Sequence, residues 1–315
     1  MRVLITGGVS GQLRHELLRA APAEALLVGP AADGESARLD VTDAAAVAEC
    51  VARYAPELIL NAAAYTHVDR AESEPAAARA VNVDGVRHLA EAALEANARL
   101  VHVSTDFVFG GSATGRALAR SGGPSGEHRS GVEGWDVAPP FTEDAPTAPL
   151  GVYGESKRDG ERVLAAVLPE SGCLVRTSWV YGAHGANFVR TMLRLMGERD
   201  EIGVVADQIG TPTSARSLAR ALWRAAELEL GGTLHWSDAG VASWYDLAVA
   251  VLEEARALGL LTARPRIVPL RTDQYPTPAA RPAVSVLETS RSRERLGLPA
   301  VHWREELRLV LGELA

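Results

Sequence analysis

The order of apolar and helix-period segments predicts an α/β protein: a doubly wound parallel sheet with a smaller α+β lobe. Two observations carry this. Short apolar runs at 3–6, 26–28, 58–63, 100–104 and 173–178 alternate with segments of helical period, as expected of parallel strands covered on both faces. After Gly182 the pattern changes to helical stretches at 187–198, 214–228, 244–258 and 303–314, separated by short strands. The division expected is 1–182 for the sheet domain and 183–315 for the lobe, the two partly interleaved.

Taken in order, Arg2-Val3-Leu4-Ile5-Thr6 is the first strand, and Gly7-Gly8-Val9-Ser10-Gly11-Gln12-Leu13 carries it into the first helix. A glycine-rich turn there leaves backbone amides free at a helix N-terminus, where a dinucleotide pyrophosphate can rest. Arg14 stands where a third small residue would let the helix pack closely, and its cation could favour a 2′-phosphate. After the second strand, Asp40-Val41 suits an adenine ring, or else the acidic stretch caps the next helix at Thr42 or Asp43. The alanine-rich segment 76–96 predicts one amphipathic helix. The fourth strand ends at Ser104-Thr105. Between 110 and 140 the chain holds Gly-Gly, Pro-Ser-Gly, Ser-Gly and Glu-Gly in a run with little apolar content, which predicts a mobile surface loop. A further helix at 150–168 leads to the fifth strand.

Composition excludes several classes. A formal net charge of −8 and a pI near 5.6 argue against nucleic acid or an anionic membrane as partner. Cys50 and Cys173 match no zinc or redox spacing. With no apolar run long enough to span a bilayer and no signal peptide ahead of the first strand, the expected location is the cytoplasm.

The helix at 150–168 carries the most informative feature. The chain has thirty-one arginines and one lysine, so its composition disfavours lysine wherever either cation would do. That lysine is Lys157, four residues after Tyr153 in Tyr153-Gly154-Glu155-Ser156-Lys157 and therefore on the same helical face. An ammonium is a compact charge with three rotatable donors, able to hold a ribose hydroxyl and stabilise a phenolate. The alternative is an ordinary helix-surface lysine.

Together, Gly7 to Leu13, Leu39-Asp40-Val41-Thr42-Asp43, Asn61-Ala62-Ala63-Ala64-Tyr65-Thr66-His67-Val68-Asp69, Ser104-Thr105-Asp106-Phe107-Val108-Phe109, Tyr153 to Lys157 and Arg176-Thr177-Ser178-Trp179-Val180-Tyr181-Gly182 resemble the extended short-chain dehydrogenases. Within them the pattern is similar to the dTDP-4-dehydrorhamnose reductases, and Asp207 to Thr213, Ser243-Trp244-Tyr245 and Arg281-Pro282 with Ser285 continue it over nearly the whole chain.

The resemblance implies a Rossmann sheet with a substrate-binding lobe, NADPH or NADH as cofactor, and reduction of the C4 ketone of dTDP-4-dehydro-L-rhamnose, a dTDP-linked 4-keto-6-deoxyhexose. It implies Tyr153 as proton donor, with Lys157 beside it lowering the phenol pKa and Thr105 sharing the carbonyl oxygen. Gly7, Gly8, Gly11, Gln12, Leu13, Asp40, Val41, Ala64, Tyr65 and Thr66, with Tyr153 and Lys157, would line the cofactor. Thr105, Asp106 and Trp179 would meet the sugar, and Arg281 would meet the substrate pyrophosphate or form a surface ion pair. His67 receives no catalytic role. Glu16 and Glu198 resemble acidic positions of a magnesium-bridged dimer in some relatives; two distant carboxylates do not define a site, so no metal is assigned, and a homodimer remains an expectation.

The departures are a glycine turn one residue longer than usual, Arg14, Phe107 for a common tyrosine, Gly110 for a common aspartate, and an insertion at about 113–138. A sugar-nucleotide dehydratase would need Asp-Glu after Thr105, where Asp106 is followed by Phe107. A related 4-ketoreductase or an epimerase uses the same Tyr-Lys pair. A non-catalytic NADP-binding regulatory subunit is kept open by Arg14 and the insertion.

Overall fold

Strand β1 (Arg2–Thr6) opens the chain and is followed by α1 (Gln12–Arg19), β2 (Leu26–Val28), α2 (Ala44–Tyr54), β3 (Leu58–Asn61), α3 (Val68–Ala71), α4 (Pro75–Arg79), α5 (Gly85–Glu95) and β4 (Arg99–Thr105). Next come α6 (Val152–Val167), β5 (Gly172–Thr177), β6 (Val180–Tyr181), α7 (Phe188–Glu198), β7 (Glu201–Val205), β8 (Ile209–Gly210), β9 (Thr213–Ser214) and α8 (Ala215–Glu227). The chain closes with β10 (Gly232–His235), β11 (Ala242–Ser243), α9 (Trp244–Ala257), β12 (Arg266–Leu270), α10 (Ser290–Leu296) and α11 (Trp303–Gly312). This computed structural model describes residues 1–8, 10–30, 39–110 and 140–315; the insertion expected at about 113–138 lies outside them.

The main sheet has six strands in the order β10-β5-β4-β3-β1-β2, every neighbouring pair parallel. Successive residues of each strand enter opposite cores, which is why the runs are mostly apolar. Val3, Leu58, Leu60, Val101 and Val175 pack with Leu218, Leu222 and Trp223 of α8. On the other face Leu4, Ile59, Leu100 and Leu174 pack with Val47, Leu89 and Leu164 from α2, α5 and α6. The order reverses between β1 and β3, so a crevice opens beyond the carboxyl ends of those strands.

A third core joins α7, α9 and α11 through Met192, Met196, Leu247, Val251, Leu307 and Leu311. It lies beside the β7–β12 parallel pair. After β9 the chain returns to the main sheet through α8 and β10, which pairs with β5. Among the described residues no helix is long and apolar enough to cross a membrane.

The single helix expected at 76–96 is interrupted. A π-helical turn occupies Ala80–Asp84 between α4 and α5. Within it Asn82, fully buried, accepts from the Tyr65 amide at 2.9 Å and donates to the Tyr65 carbonyl at 3.1 Å and to Ser156 Oγ at 3.0 Å. The wider turn aims an amide inward to join the loop after β3 to α6, a use of π-turns common at functional sites. Alanine spacing carries no trace of it.

Candidate active site

Two glycines let α6 pack closely, Gly154 against the turn after β4 and Gly160 against the π-turn. A Cβ at Gly154 would collide with the Phe107 carbonyl, and one at Gly160 with the Asn82 carbonyl. This close approach sets Tyr153 beside Thr105 and Lys157 against the middle of β4. Tyr153 is hydrogen-bonded to Thr105 and meets Phe107 edge to face, with ring centroids 5.6 Å apart. Burial pushes its phenol up to about 12 against the Thr105 hydrogen bond, and the neighbouring Asp106 carboxylate raises it further. The expected lowering of the phenol pKa by Lys157 is therefore not what this geometry produces. Lys157 Nζ is turned to β4, where it donates to the Val103 carbonyl at 2.7 Å and lies 3.3 Å from His102 Nε2.

Lys157 is 2 % exposed, and burial pulls its ammonium down to about 8, with Glu161 opposing. Glu161 is itself engaged: Arg176 grips it through Nε at 3.0 Å and Nη2 at 2.8 Å, and Ser104 Oγ donates at 2.5 Å. No carboxylate forms a salt bridge with Lys157 among the described residues.

At the reversal of strand order, Gly7 has φ +117, a left-handed backbone that glycine tolerates, and it sits against Ala62 after β3. Gly11 donates to Gly8 O at 2.8 Å and begins α1 without a side-chain cap. Uncapped amides beside close-packed glycines fit a dinucleotide phosphate. Gln12 instead reaches the second half of the chain, donating to Val180 O at 3.0 Å and accepting from Asn187 at 3.2 Å, while Leu13 packs on the core. Arg14 is 8 % exposed.

Asp43 caps α2 by accepting from the Ala46 amide, whereas Asp40 closes on Thr42 and Val41 is buried against Gly85. Ala64, Tyr65 and Thr66 lead from β3 over the same edge, with Tyr65 Oη donating to Glu74 at 2.7 Å.

Asp106 is 1 % exposed; burial pushes its carboxyl up to about 7, against hydrogen bonds from Ser285 and Thr105. Trp179 has φ +46, a strained conformation for a bulky residue, and stacks on Trp244 at 3.6 Å and 5°. Gly210, in the Asp207 to Thr213 segment, makes room for its indole. Arg281 forks onto Asp69 at 3.0 and 2.8 Å, the ion-pair alternative of the two expected. His67 is exposed. A narrow cavity beside Tyr153 is lined by Phe107, Ala280 and Pro282.

The residues that sequence reasoning missed are those holding Tyr153 and Lys157: Asn61, Asn82, His102, Glu161 and Arg176. One signal was available. Asn61 and His102 are polar residues inside or closing otherwise apolar strands, and a buried polar group requires a partner.

Glu16 and Glu198, to which no metal was assigned, each meet an arginine, Arg19 at 2.7 Å from Glu16 and Arg194 at 2.7 Å from Glu198. Glu16 also neighbours His15 and His184, with potential ligand atoms within 4.8 Å of one another. That donor set does not suit magnesium, which takes oxygen ligands.

Residues 1–315 match the family described as RmlD substrate binding domain. A dTDP-4-dehydrorhamnose reductase of Aggregatibacter actinomycetemcomitans is 38% identical over 313 residues, covering 98% of this chain and 97% of the relative. One from Streptomyces griseus is 41% identical over 311 residues, 97% and 91% of the two chains. Among solved structures, the dTDP-4-dehydrorhamnose reductase of Bacillus anthracis in complex with NADP superposes with a TM-score of 0.82 at 32% identity over 99% of each chain.

Proposed function

The chain belongs to the RmlD family of dTDP-4-dehydrorhamnose reductases, and from that premise we propose that it reduces the C4 ketone of dTDP-4-dehydro-L-rhamnose to dTDP-L-rhamnose. The observation that carries the reading is Tyr153 packed beside Thr105 at the end of β4, with Lys157 one helical turn away, at the edge where the glycine turn opens. Gly7, Gly8 and Gly11 with the first amides of α1 would hold the phosphates of NADPH or NADH, which when bound would supply the hydride for the carbonyl carbon.

As negative charge develops on the ketone oxygen, Tyr153 delivers its phenolic proton there. A phenol pushed up to about 12 remains protonated until that moment, so it acts as an acid at neutral pH. Thr105 orients that phenol and shares the oxygen, and the Lys157 ammonium stabilises the phenolate left behind. Trp179 and Asp106 border the sugar. Arg281, already neutralised by Asp69, would have to release that partner to meet a pyrophosphate. We assign 183–315 to substrate binding, the cytoplasm as location and a homodimer as assembly.

The test is incubation of the purified protein with NADPH and the ketosugar, with product identified by NMR. One alcohol product per NADPH oxidised is expected; an epimer formed without net NADPH consumption would refute the reading. Tyr153→Phe should lower turnover by about 10² or more with cofactor affinity little changed, and near-normal turnover would remove Tyr153 from the mechanism.

A further inference from the structure

A buried line of polar groups crosses the main sheet from the glycine turn to the catalytic lysine. Thr6 Oγ1 donates to Asn61 Oδ1 at 2.6 Å, Asn61 Nδ2 meets His102 Nδ1 at 2.9 Å, and His102 Nε2 meets Lys157 Nζ at 3.3 Å. All four residues are at most 3 % exposed. The direction of every proton in this line follows from one backbone group. The Ala63 amide can only donate, and it donates to Asn61 Oδ1 at 3.0 Å, which fixes oxygen on that side of the Asn61 amide and NH₂ on the other. Asn61 Nδ2 therefore donates to His102 Nδ1. With its Nδ1 lone pair occupied, neutral His102 carries its proton on Nε2, which faces Lys157.

An ammonium has three donors and no acceptor, whereas a neutral amine has a lone pair. Facing an imidazole N–H, only the amine makes an attractive contact, and it retains a hydrogen for the Val103 carbonyl. We infer that His102 is a positioning residue: the Thr6–Asn61 pair locks it as the Nε2–H tautomer, and its N–H favours the neutral amine form of Lys157.

The surrounding charges agree. On α6, Glu161 is held by Arg176 of β5 and Ser104 of β4, and Tyr153 is bound to Thr105. Asp106, just beyond β4, bonds to Thr105 and Ser285. From the helices packed on α6, Arg79 pairs with Asp159 at the surface, His88 is turned to the Val41 carbonyl, and Asn82 carries no charge. Burial holds His102 well below its ordinary range, and Lys157 adds to that shift, so the imidazole is neutral wherever the lysine titrates. Readiness to lose a proton close to the working pH suits a lysine that must stabilise a phenolate in one half of a turnover and tolerate a phenol in the other. That consequence rests on the role proposed for Lys157; the tautomer does not.

Having one lysine makes the test direct. Protein grown on lysine labelled with ¹³C at Cε gives a single side-chain resonance, followed from about pH 6 to about pH 11, a range spanning the shifted and ordinary lysine pKa. The expected midpoint is about 8. Long-range ¹H–¹⁵N histidine spectra, with the His102 signals identified by their loss in His102→Met, should show the proton on Nε2. Asn61→Asp places a carboxylate against Nδ1, moves the proton there and turns the Nε2 lone pair to Lys157; the lysine midpoint should rise by at least one unit. His102→Met removes the opposing N–H without adding charge and should raise it as well, which separates the tautomer from the added carboxylate and serves if Asn61→Asp does not fold. A wild-type midpoint near 10.5, a proton on Nδ1, or a midpoint unmoved in His102→Met would each overturn the inference. None of these readouts requires turnover, so failure of the reductase reading would be seen separately.

Discussion

Replacing Lys157 by Met should abolish reduction and yet make the protein more stable at pH 7. The two side chains are close in length, so the change conserves volume while removing the charge. Burial pulls the ammonium from 10.5 to about 8, and at about 1.36 kcal/mol per pKa unit the folded protein carries a cost of about 3 kcal/mol for keeping that group charged. Below about pH 8 folded and unfolded chains both hold the proton, so the cost is fully present at pH 7. Between about 8 and 10.5 only the unfolded chain holds it, and wild-type stability rises with pH across that window. Met also forfeits the charge-assisted hydrogen bond to Val103 O, about 1 to 2 kcal/mol.

The net expectation is that Lys157→Met is more stable by about 1 to 2 kcal/mol at pH 7. The advantage should vanish, or reverse by a similar amount, near pH 10.5. Urea unfolding of both proteins across the range measures it, and the difference between them cancels every other titrating group. Turnover should fall by about 10² or more. A variant less stable than wild type at pH 7, or a stability difference independent of pH, would refute the claim that an uncompensated buried cation is held at this site.

Other variants probe neighbouring parts. Glu161→Gln leaves the Arg176 guanidinium buried without its bidentate carboxylate, and should cost about 3 to 5 kcal/mol in urea unfolding; a cost within about 0.5 kcal/mol, the range of ordinary surface substitutions, would show that the pair contributes little. Arg14→Gly should reduce any preference for NADPH over NADH, measured as the ratio of dissociation constants, because the 2′-phosphate loses a cation. Equal affinities, unchanged by the substitution, would remove Arg14 from cofactor selection.

The parallel sheet was legible because strands buried on both faces are mostly apolar, and the runs containing Val3, Leu58, Leu100 and Cys173 are, the polar Asn61, His102 and Arg176 excepted. The glycine turn was legible because only glycine tolerates the backbone at Gly7. Lys157 stood out because an arginine-rich chain retains lysine where the compact head matters. What periodicity could not predict was the interruption at Ala80–Asp84, since a π-turn changes hydrogen bonding and leaves the alanine pattern intact. Nor could a list of site residues reveal that Lys157 faces β4 rather than the phenol.

Local sequence thus determined which segments become strands and helices, and where the chain carries a tyrosine, a lysine one turn on, and a glycine-rich turn at the start of a helix. Tertiary structure alone decided protonation. Whether Tyr153 is an acid and which nitrogen of His102 holds a proton depend on burial and on partners far apart in the chain: Thr105 for Tyr153, and Asn61 and Ala63 for His102. Solvation and hydrogen-bond direction are properties of the assembled site, because a proton's free energy is set by the groups that surround it in space.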